Sequence, residues 1–451
     1  MSEMISTECE TEIDSLPEEV LGMIFDHLDL ENVKNASLTC RRWCNIIFLS
    51  AYINRFRLRI ISPSAKARLQ LWMKHVTDTV NRSQRRYRNL RLFVGLHMVP
   101  DFLLFWETLL KKLTQYIYSL QLSLPDHLPE NVISLISAGI QLMSKLRSLS
   151  FFARGLSHQQ IVLRSSSVEH LEVDDGYEIL LDMPELQSFT GPLGALKQPF
   201  NNNYQGLEIR KLKLVTVTKG PDDINDLSII HRLAHVERLK LSFPLDDNRF
   251  LFAICNTCTT LKELWIFGEL IVTHPATIRN LTNLVNLRKL IFERIWMKRN
   301  ASFTLDVDLS RLTQLEVLHL GSNAFWKPTS SIRLPKSIRS ILMPVTVETE
   351  IGVMQSIAGS LTQLQKLRLI YPAYRYNTVD TRTIQYLHSL KHLEVVKFVN
   401  AESSGSIYHD MEPPLHRMRE LLMLNNDSHN ASIHGLCQML PTLELTSAGY
   451  I

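Results

Sequence analysis

Apolar side chains fall at Leu16, Val20, Leu21, Ile24, Phe25 and Leu28, the spacing that lays residues along one helical stripe. Pro17 suits a first helical turn, and Glu18 and Glu19 complement the positive end of the helix dipole. Asp29 interrupts the pattern. A second apolar set follows at Leu30, Val33, Ala36 and Leu38, and Trp43 opens a third with Ile46, Ile47 and Phe48. The pattern predicts three short amphipathic helices within about forty residues, a core too small to be stable alone. A module of this kind completes itself against a partner.

From residue 117 onward the pattern changes to an apolar residue, two others, an apolar residue, one other, and a third apolar residue. It starts at Ile117, Leu146, Val168, Ile209, Val236, Leu261, Leu287, Leu315, Ile338, Leu364, Leu390 and Met418, with a weaker unit at Leu186 and a truncated one at Leu440. Tyr87, Leu90 and Leu92 fit as an opening unit. A mean period of about 25 residues with this pattern belongs to leucine-rich repeats. The last two apolar positions of each unit lie on one face of a short strand and point inward. The chain returns on the convex side, as helices over 306–315 and 382–390. Stacking supplies the core that one unit cannot bury by itself. The turn-capping asparagine of such repeats appears at Asn323 and Asn426 and is missing from most units, so the array is irregular. Between the two patterns, residues 57–86 predict a packed helical connector, with a helix over 65–80, because the segment has no glycine and a single proline, Pro63.

Composition narrows the class. A chain of 451 residues with 45% hydrophobic and 21% charged side chains is a folded, soluble one. The net charge of +4 gives no argument for nucleic acid. The longest apolar stretch, 102–110, carries Glu107 and is far short of a membrane span, so no membrane partner is expected. Residues 1–12 are acidic and polar, read as disordered, and form neither a signal nor a transit peptide. Cysteines at 9, 40, 44, 255, 258 and 437 make no disulfide framework, which points to the reducing cytoplasm or nucleus. Cys255 and Cys258 form a C-x-x-C, but no second Cys or His pair lies near enough in sequence for zinc. They read as closing the convex segment before Leu261. Hydrolase, zincin and phosphate-loop motifs are missing, so the expectation is a non-enzyme with no cofactor and no metal. The basic run Arg82, Arg85, Arg86, Arg88 and Arg91 could meet phosphate or nucleic acid. Its aromatic interleaving is limited to Tyr87, which favours a solvated connector and argues against nucleic acid.

Leu16-Pro17, Glu19-Val20-Leu21, Ile24-Phe25, Leu28-Asp29 and Ser37-Leu38-Thr39-Cys40-Arg41-Arg42-Trp43 resemble the F-box, in order and without a gap. Thr39 stands where an aliphatic residue is usual, and Asn32-Val33 replaces the common Asp-Leu. With the repeats, the chain is similar to F-box/leucine-rich-repeat proteins. The resemblance implies an α/β fold: a disordered acidic N-terminus (1–12), a three-helix F-box (13–56), the helical connector (57–86) and a horseshoe-shaped leucine-rich-repeat solenoid (87–451). It implies docking to the Skp adaptor of an SCF (Skp–cullin–F-box) ubiquitin ligase, and through the adaptor to cullin. The adaptor-binding set is Leu16, Pro17, Val20, Leu21, Ile24, Phe25, Leu28, Leu38, Cys40 and Trp43, at or just beneath the interface. The function implied is that of a substrate-recognition subunit, with an unidentified protein substrate held by the repeats. The alternative is an adaptor-bound scaffold or sensor that delivers nothing.

The expected substrate surface is the concave face. The units at Ile209 and Val236 would present Lys211, Lys213, Arg238 and Lys240, alternating with inward Leu212, Leu214, Leu239 and Leu241. The unit at Leu261 would add Glu263, Trp265 and Phe267, and an earlier one His170, Glu172 and Asp174. Four like charges beside two large aromatics would suit an acidic or phosphorylated segment.

Overall fold

The computed structural model describes residues 13–63, 68–95, 99–125, 129–153, 160–175, 178–197, 211–220, 227–245, 248–273, 276–297, 307–321, 332–372, 377–401 and 419–424. The chain divides into two compact units, Met1–Leu186 with Gly206–Ile209, and Gln187–Gln205 with Arg210–Ile451.

The first unit opens with helices α1 (Glu18–Asp26), α2 (Leu30–Ala36) and α3 (Arg41–Leu49). Helices α2 and α3 start at a side-chain cap, whereas α1 follows Pro17 without one. Glu18 and Glu19 fill the first turn of α1, the Asp29 carboxylate accepts the Asn32 N–H at 2.8 Å, and Cys40 Sγ accepts the Trp43 N–H at 3.4 Å. Leu21, Phe25, Val33, Ala36, Ile46 and Ile47 close a core that Phe48, Ile53 and Phe56 complete.

The chain then runs through β1 (Arg57–Ile61), α4 (Leu69–Arg82), β2 (Asn89–Phe93), α5 (Val99–Leu113), β3 (Ser119–Leu124), α6 (Glu130–Leu142), β4 (Ser148–Ala153), β5 (Gln160–Arg164), β6 (His170–Val173) and β7 (Glu178–Asp182). Strands β1, β2, β3, β4 and β6 pair in that order, all parallel, and β5 and β7 form a separate parallel pair. Residues 57–86 are therefore not a purely helical connector. They contain a complete strand, with Leu58 opposite Leu90 and Ile60 opposite Leu92. The strand escaped the pattern because its first apolar position, equivalent to Tyr87, is held by Arg55. Part of the expected helix start, 64–67, lies outside the described residues; α4 itself ends at Arg82.

The second unit contains β8 (Ser188–Pro192), β9 (Leu214–Lys219), β10 (Arg238–Leu241), α7 (Asn248–Thr257), β11 (Glu263–Val272), α8 (Ala276–Asn280), β12 (Lys289–Met297), β13 (Val307–Asp308), β14 (Val317–Leu320), β15 (Ile332–Arg333), β16 (Ser340–Pro344), α9 (Glu350–Ser360), β17 (Lys366–Ile370), α10 (Thr381–His388), β18 (Val395–Val399) and β19 (Glu420–Leu424). All but β13 and β15, which pair with each other, belong to one parallel sheet in chain order. Its register stacks like residues. Leu239 lies opposite Leu264, then come Leu290, Leu318, Ile341, Leu367 and Val396, all buried. Burying one such leucine contributes about 1.5–3 kcal/mol. Alternate residues face outward.

Two registers differ from expectation by three residues. In β9 the inward pair is Val215 and Val217, aligned with Leu239 and Leu241, and not Leu212 and Leu214. In β18 it is Val396 and Phe398, not Leu393 and Val395. Both segments carry apolar residues that satisfy two overlapping readings of the same pattern; neighbouring strands select one. Residues 307–315 form β13 and turns, not a helix. The Asp308 carboxylate accepts from the Ser310 backbone and hydroxyl at 3.1 and 2.6 Å, a local bond that competes with helix. The helix expected over 382–390 is α10. Ile209, Asn323, Asn426 and Leu440 lie outside the described residues.

Candidate functional site

Helix α1 has two working faces. At 3.6 residues per turn, Leu21 and Phe25 share one side and Val20 and Met23 the other. Leu21 and Phe25 are both 0% exposed, with Phe25 packed edge-on to Trp43 at 5.2 Å and to Tyr52 at 5.8 Å. Of the expected adaptor set, Leu21 and Phe25 fill the module's own core and lie beneath its surface. Leu16, Ile24, Leu28 and Trp43 are half-buried against that core. Cys40 is half-buried with its sulfur committed to the α3 cap. Pro17 is exposed, and among the large apolar side chains left in the open are Val20 (37%), Met23 (64%), Leu30 (51%) and Leu38 (81%). Met23 and Leu30 stand outside the expected adaptor set. One wide stripe was read where there are two faces, and Met23 lies three residues from Val20 on the outer one.

Two arginines lock the module. Arg42 Nη2 donates to the Leu16 carbonyl at 2.5 Å. Arg55 Nη1 donates to the Phe25 carbonyl at 3.0 Å and to Asp26 Oδ1 at 2.9 Å, satisfying the exposed C-terminal end of α1. The basic run that follows α4 is not simply solvated. The guanidinium of Arg85 lies 3.8 Å from the Phe48 ring centroid, that of Arg88 5.2 Å from Tyr118, and that of Arg91 4.5 Å from Phe93. Most of these rings come from outside the run, so the sequence alone could not show them.

On the outward face of the second unit, the expected cluster comes apart. Lys211 and Lys213 precede β9, whose outward residues are Leu214 and Thr216. Successive backbone N–H groups of Glu237 and Arg238 both bond to the Lys213 carbonyl, at 2.8 and 3.0 Å, and the same arrangement recurs at the following strands. It lines Lys213, Glu237 and Lys262 into a ladder along the strand starts. Glu237 lies 2.8 Å from Lys262 and 4.0 Å from Lys213. The Lys262 hydrogen bond holds the Glu237 carboxyl below its usual range. Arg238 is tied to Glu263 at 2.8 Å. Of the four expected cations, Lys240 alone remains beside the aromatics.

A different set gathers there. Trp265 is half-buried, with the Lys240 and Lys289 ammonium groups each 4.3 Å from its ring centroid and Phe267 at 5.5 Å. Its indole N–H is buried and has no acceptor among the described residues. The register carries the row across the sheet: Lys240, Trp265, Ile291, His319, Leu342 and Arg368. His319 is shifted below its usual value by burial, then by Lys289 and Arg368. Among the described residues, no carboxylate pairs with Lys240, Lys289, Lys366 or Arg368.

Cys255 and Cys258 are buried at the end of α7, and burial pushes both thiols up to about 12. At neutral pH they are protonated, packed core residues. Among the described residues no helix is long and apolar enough to cross a membrane.

Comparison with known proteins matches residues 13–56 to the F-box-like family. The chain therefore carries an F-box-like domain over its three N-terminal helices, and such domains generally bind the Skp adaptor. Comparison with curated protein sequences gives no match. Among solved structures, a protein from Bacteroides fragilis is similar over 80% of this chain and 83% of its own, at 9% identity and a TM-score of 0.28. A likeness at that level carries no argument.

Proposed function

We propose that this chain is the non-catalytic substrate-recognition subunit of an SCF ubiquitin ligase. The carrying observation is the F-box-like domain, which closes its own core with Leu21 and Phe25 and leaves Val20, Met23, Leu30 and Leu38 uncovered. Exposed apolar side chains concentrated on one small module suit a protein partner. The repeats support the second half of the reading. Parallel strands with stacked inward leucines and a polar outward face are what a leucine-rich-repeat array requires, and such an array offers an extended binding surface. The mechanism is proximity: the adaptor end joins the ligase and the repeat end raises the local concentration of a bound protein's lysines. No covalent step takes place on this chain. The reading goes with a reducing compartment, cytoplasm or nucleus.

The test is co-purification with the Skp adaptor and cullin. Val20→Glu with Leu38→Glu places charge on exposed positions and should abolish recovery of both while leaving the circular dichroism spectrum unchanged. Undiminished recovery sinks the adaptor-docking reading. Recovery of cullin by the wild type with no ubiquitylated target would favour the scaffold alternative.

A further inference from the structure

The row around Trp265 has a charge pattern that its own fold does not satisfy. Lys240 and Lys289, from the strands on either side of β11, each lie 4.3 Å from the centroid of one indole, and Arg368 stands at the far end of the same row, with Lys366 nearby on β17. Between the cations the outward residues are Ile291, His319 and Leu342, and Phe267 extends the apolar centre at 37% exposure. Two acids lie at the margin of the row: Glu263, opposite Lys289 and tied to Arg238, and Glu293, two positions beyond Ile291. Cations held near one another without counter-charges repel, and an anionic ligand relieves the repulsion.

We propose that this outward face of β10, β11, β12, β14, β16 and β17 binds an acidic peptide segment that carries an apolar side chain. Lys240 and Lys289 receive anionic groups at one end and Arg368 at the other, and the apolar side chain packs on Trp265 and Phe267. The row from Lys240 to Arg368 crosses five inter-strand steps of about 4.8 Å, at most about 24 Å, which about seven extended residues span. A peptide fits better than a single-stranded nucleic acid, whose bases need repeated aromatic platforms beneath them. Here the positions between Trp265 and the far cation are mainly aliphatic. The lysines now seated on the indole would turn to the ligand's anions, so binding should alter the fluorescence of Trp265. The shared recognition chemistry is anionic oxygen, from a carboxylate or a phosphorylated side chain. The proposal deepens the receptor reading by naming the class of segment received.

The experiment uses the full chain and a short fluorescein-labelled peptide of glutamates around one central phenylalanine, followed by anisotropy. Lys240→Glu with Lys289→Glu should weaken binding by about tenfold or more, and raised salt should weaken the wild type. Lys213→Glu, outside the row, should bind as wild type does, and Trp265→Phe should remove the ligand-induced change in tryptophan emission. A peptide with phosphoserine in place of glutamate identifies phosphate as the preferred source if it binds more tightly, and carboxylate if it does not. Absence of wild-type binding, unchanged binding by the folded double variant, or tighter binding of a single-stranded oligonucleotide of equal charge overturns the proposal. Adaptor recovery is measured on the same proteins. Peptide binding without adaptor docking defeats the receptor reading and leaves the acid-binding face standing. Adaptor docking with no peptide binding does the reverse.

Discussion

Leu318 stands between Leu290 and Ile341 in the buried row and is 0% exposed. Leu318→Ala should cost about 2–5 kcal/mol, read from urea unfolding. A loss under about half a kcal/mol would mean that the inward register is wrong. Glu350 makes a different kind of prediction. Its side chain is buried on α9 and accepts from the Thr383 hydroxyl and from the Asp380 N–H at 3.2 Å. Burial raises its carboxyl above the usual 4.5. A raised value means the folded state holds this proton more tightly than the unfolded chain does. The group's stabilising contribution is present below about pH 4.5 and is lost as pH rises through the folded value. Glu350→Gln should therefore gain on the wild type as pH is raised from acid to neutral, in paired unfolding curves. A constant gap across that range would show that Glu350 does not titrate as its burial requires. At this scale the sequence was readable wherever alternation alone decides a side chain's direction, as at Leu264, Leu290, Trp265 and Phe267. It was silent where a residue's partner depends on how strands align. Arg238 finds Glu263 and Lys213 finds Glu237 through register, not through sequence distance.

Among the elements, β11 and β12 are long and interrupted. Pairing resumes out of step between Ile266 and Glu269, and Gly268 fills the irregularity. A Cβ there would fall inside contact distance of the Phe243 carbonyl oxygen, so the backbone would have to shift. Gly268→Ala should lose about 1–3 kcal/mol. Gly352, on the exposed side of α9 with no atom near enough to meet a Cβ, gives the contrast. Gly352→Ala should gain about 0.5–1 kcal/mol by restricting the unfolded chain. Equal effects from the two substitutions would contradict the close approach at the bulge. The three N-terminal helices were readable because caps and stripes are local. The strand β1 was not, since Arg55 occupies its first apolar position in order to hold the end of α1. Strands β9 and β18 were misplaced because leucine and valine lie at both candidate spacings, and the decision belongs to neighbouring strands. Asp308 turned an expected helix into a turn through one short-range carboxylate.

For the whole molecule, the F-box-like domain and the row around Trp265 belong to different compact units. A fragment ending at Leu186 contains the F-box-like domain and the first parallel strands, including Tyr87, which packs on the helical core. That fragment should co-purify with the Skp adaptor, whereas a fragment ending at Phe56 should lose helical circular dichroism. Retention of full structure by the shorter piece would show that three helices suffice. General architecture was readable from two periodicities, one helical and one of strands, but the row around Trp265 was not, because Lys289 and Arg368 join it through strand pairing. The alternation of each strand also has an evolutionary consequence. Leu239, Leu264 and Leu290 are constrained by packing, while their neighbours Lys240, Trp265 and Ile291 point away from it. Mutations can therefore rewrite the outward lattice of side chains without passing through unfolded intermediates. A lineage can change that outward surface while keeping the same scaffold, and a combinatorial library randomised at those outward positions should yield mostly folded members.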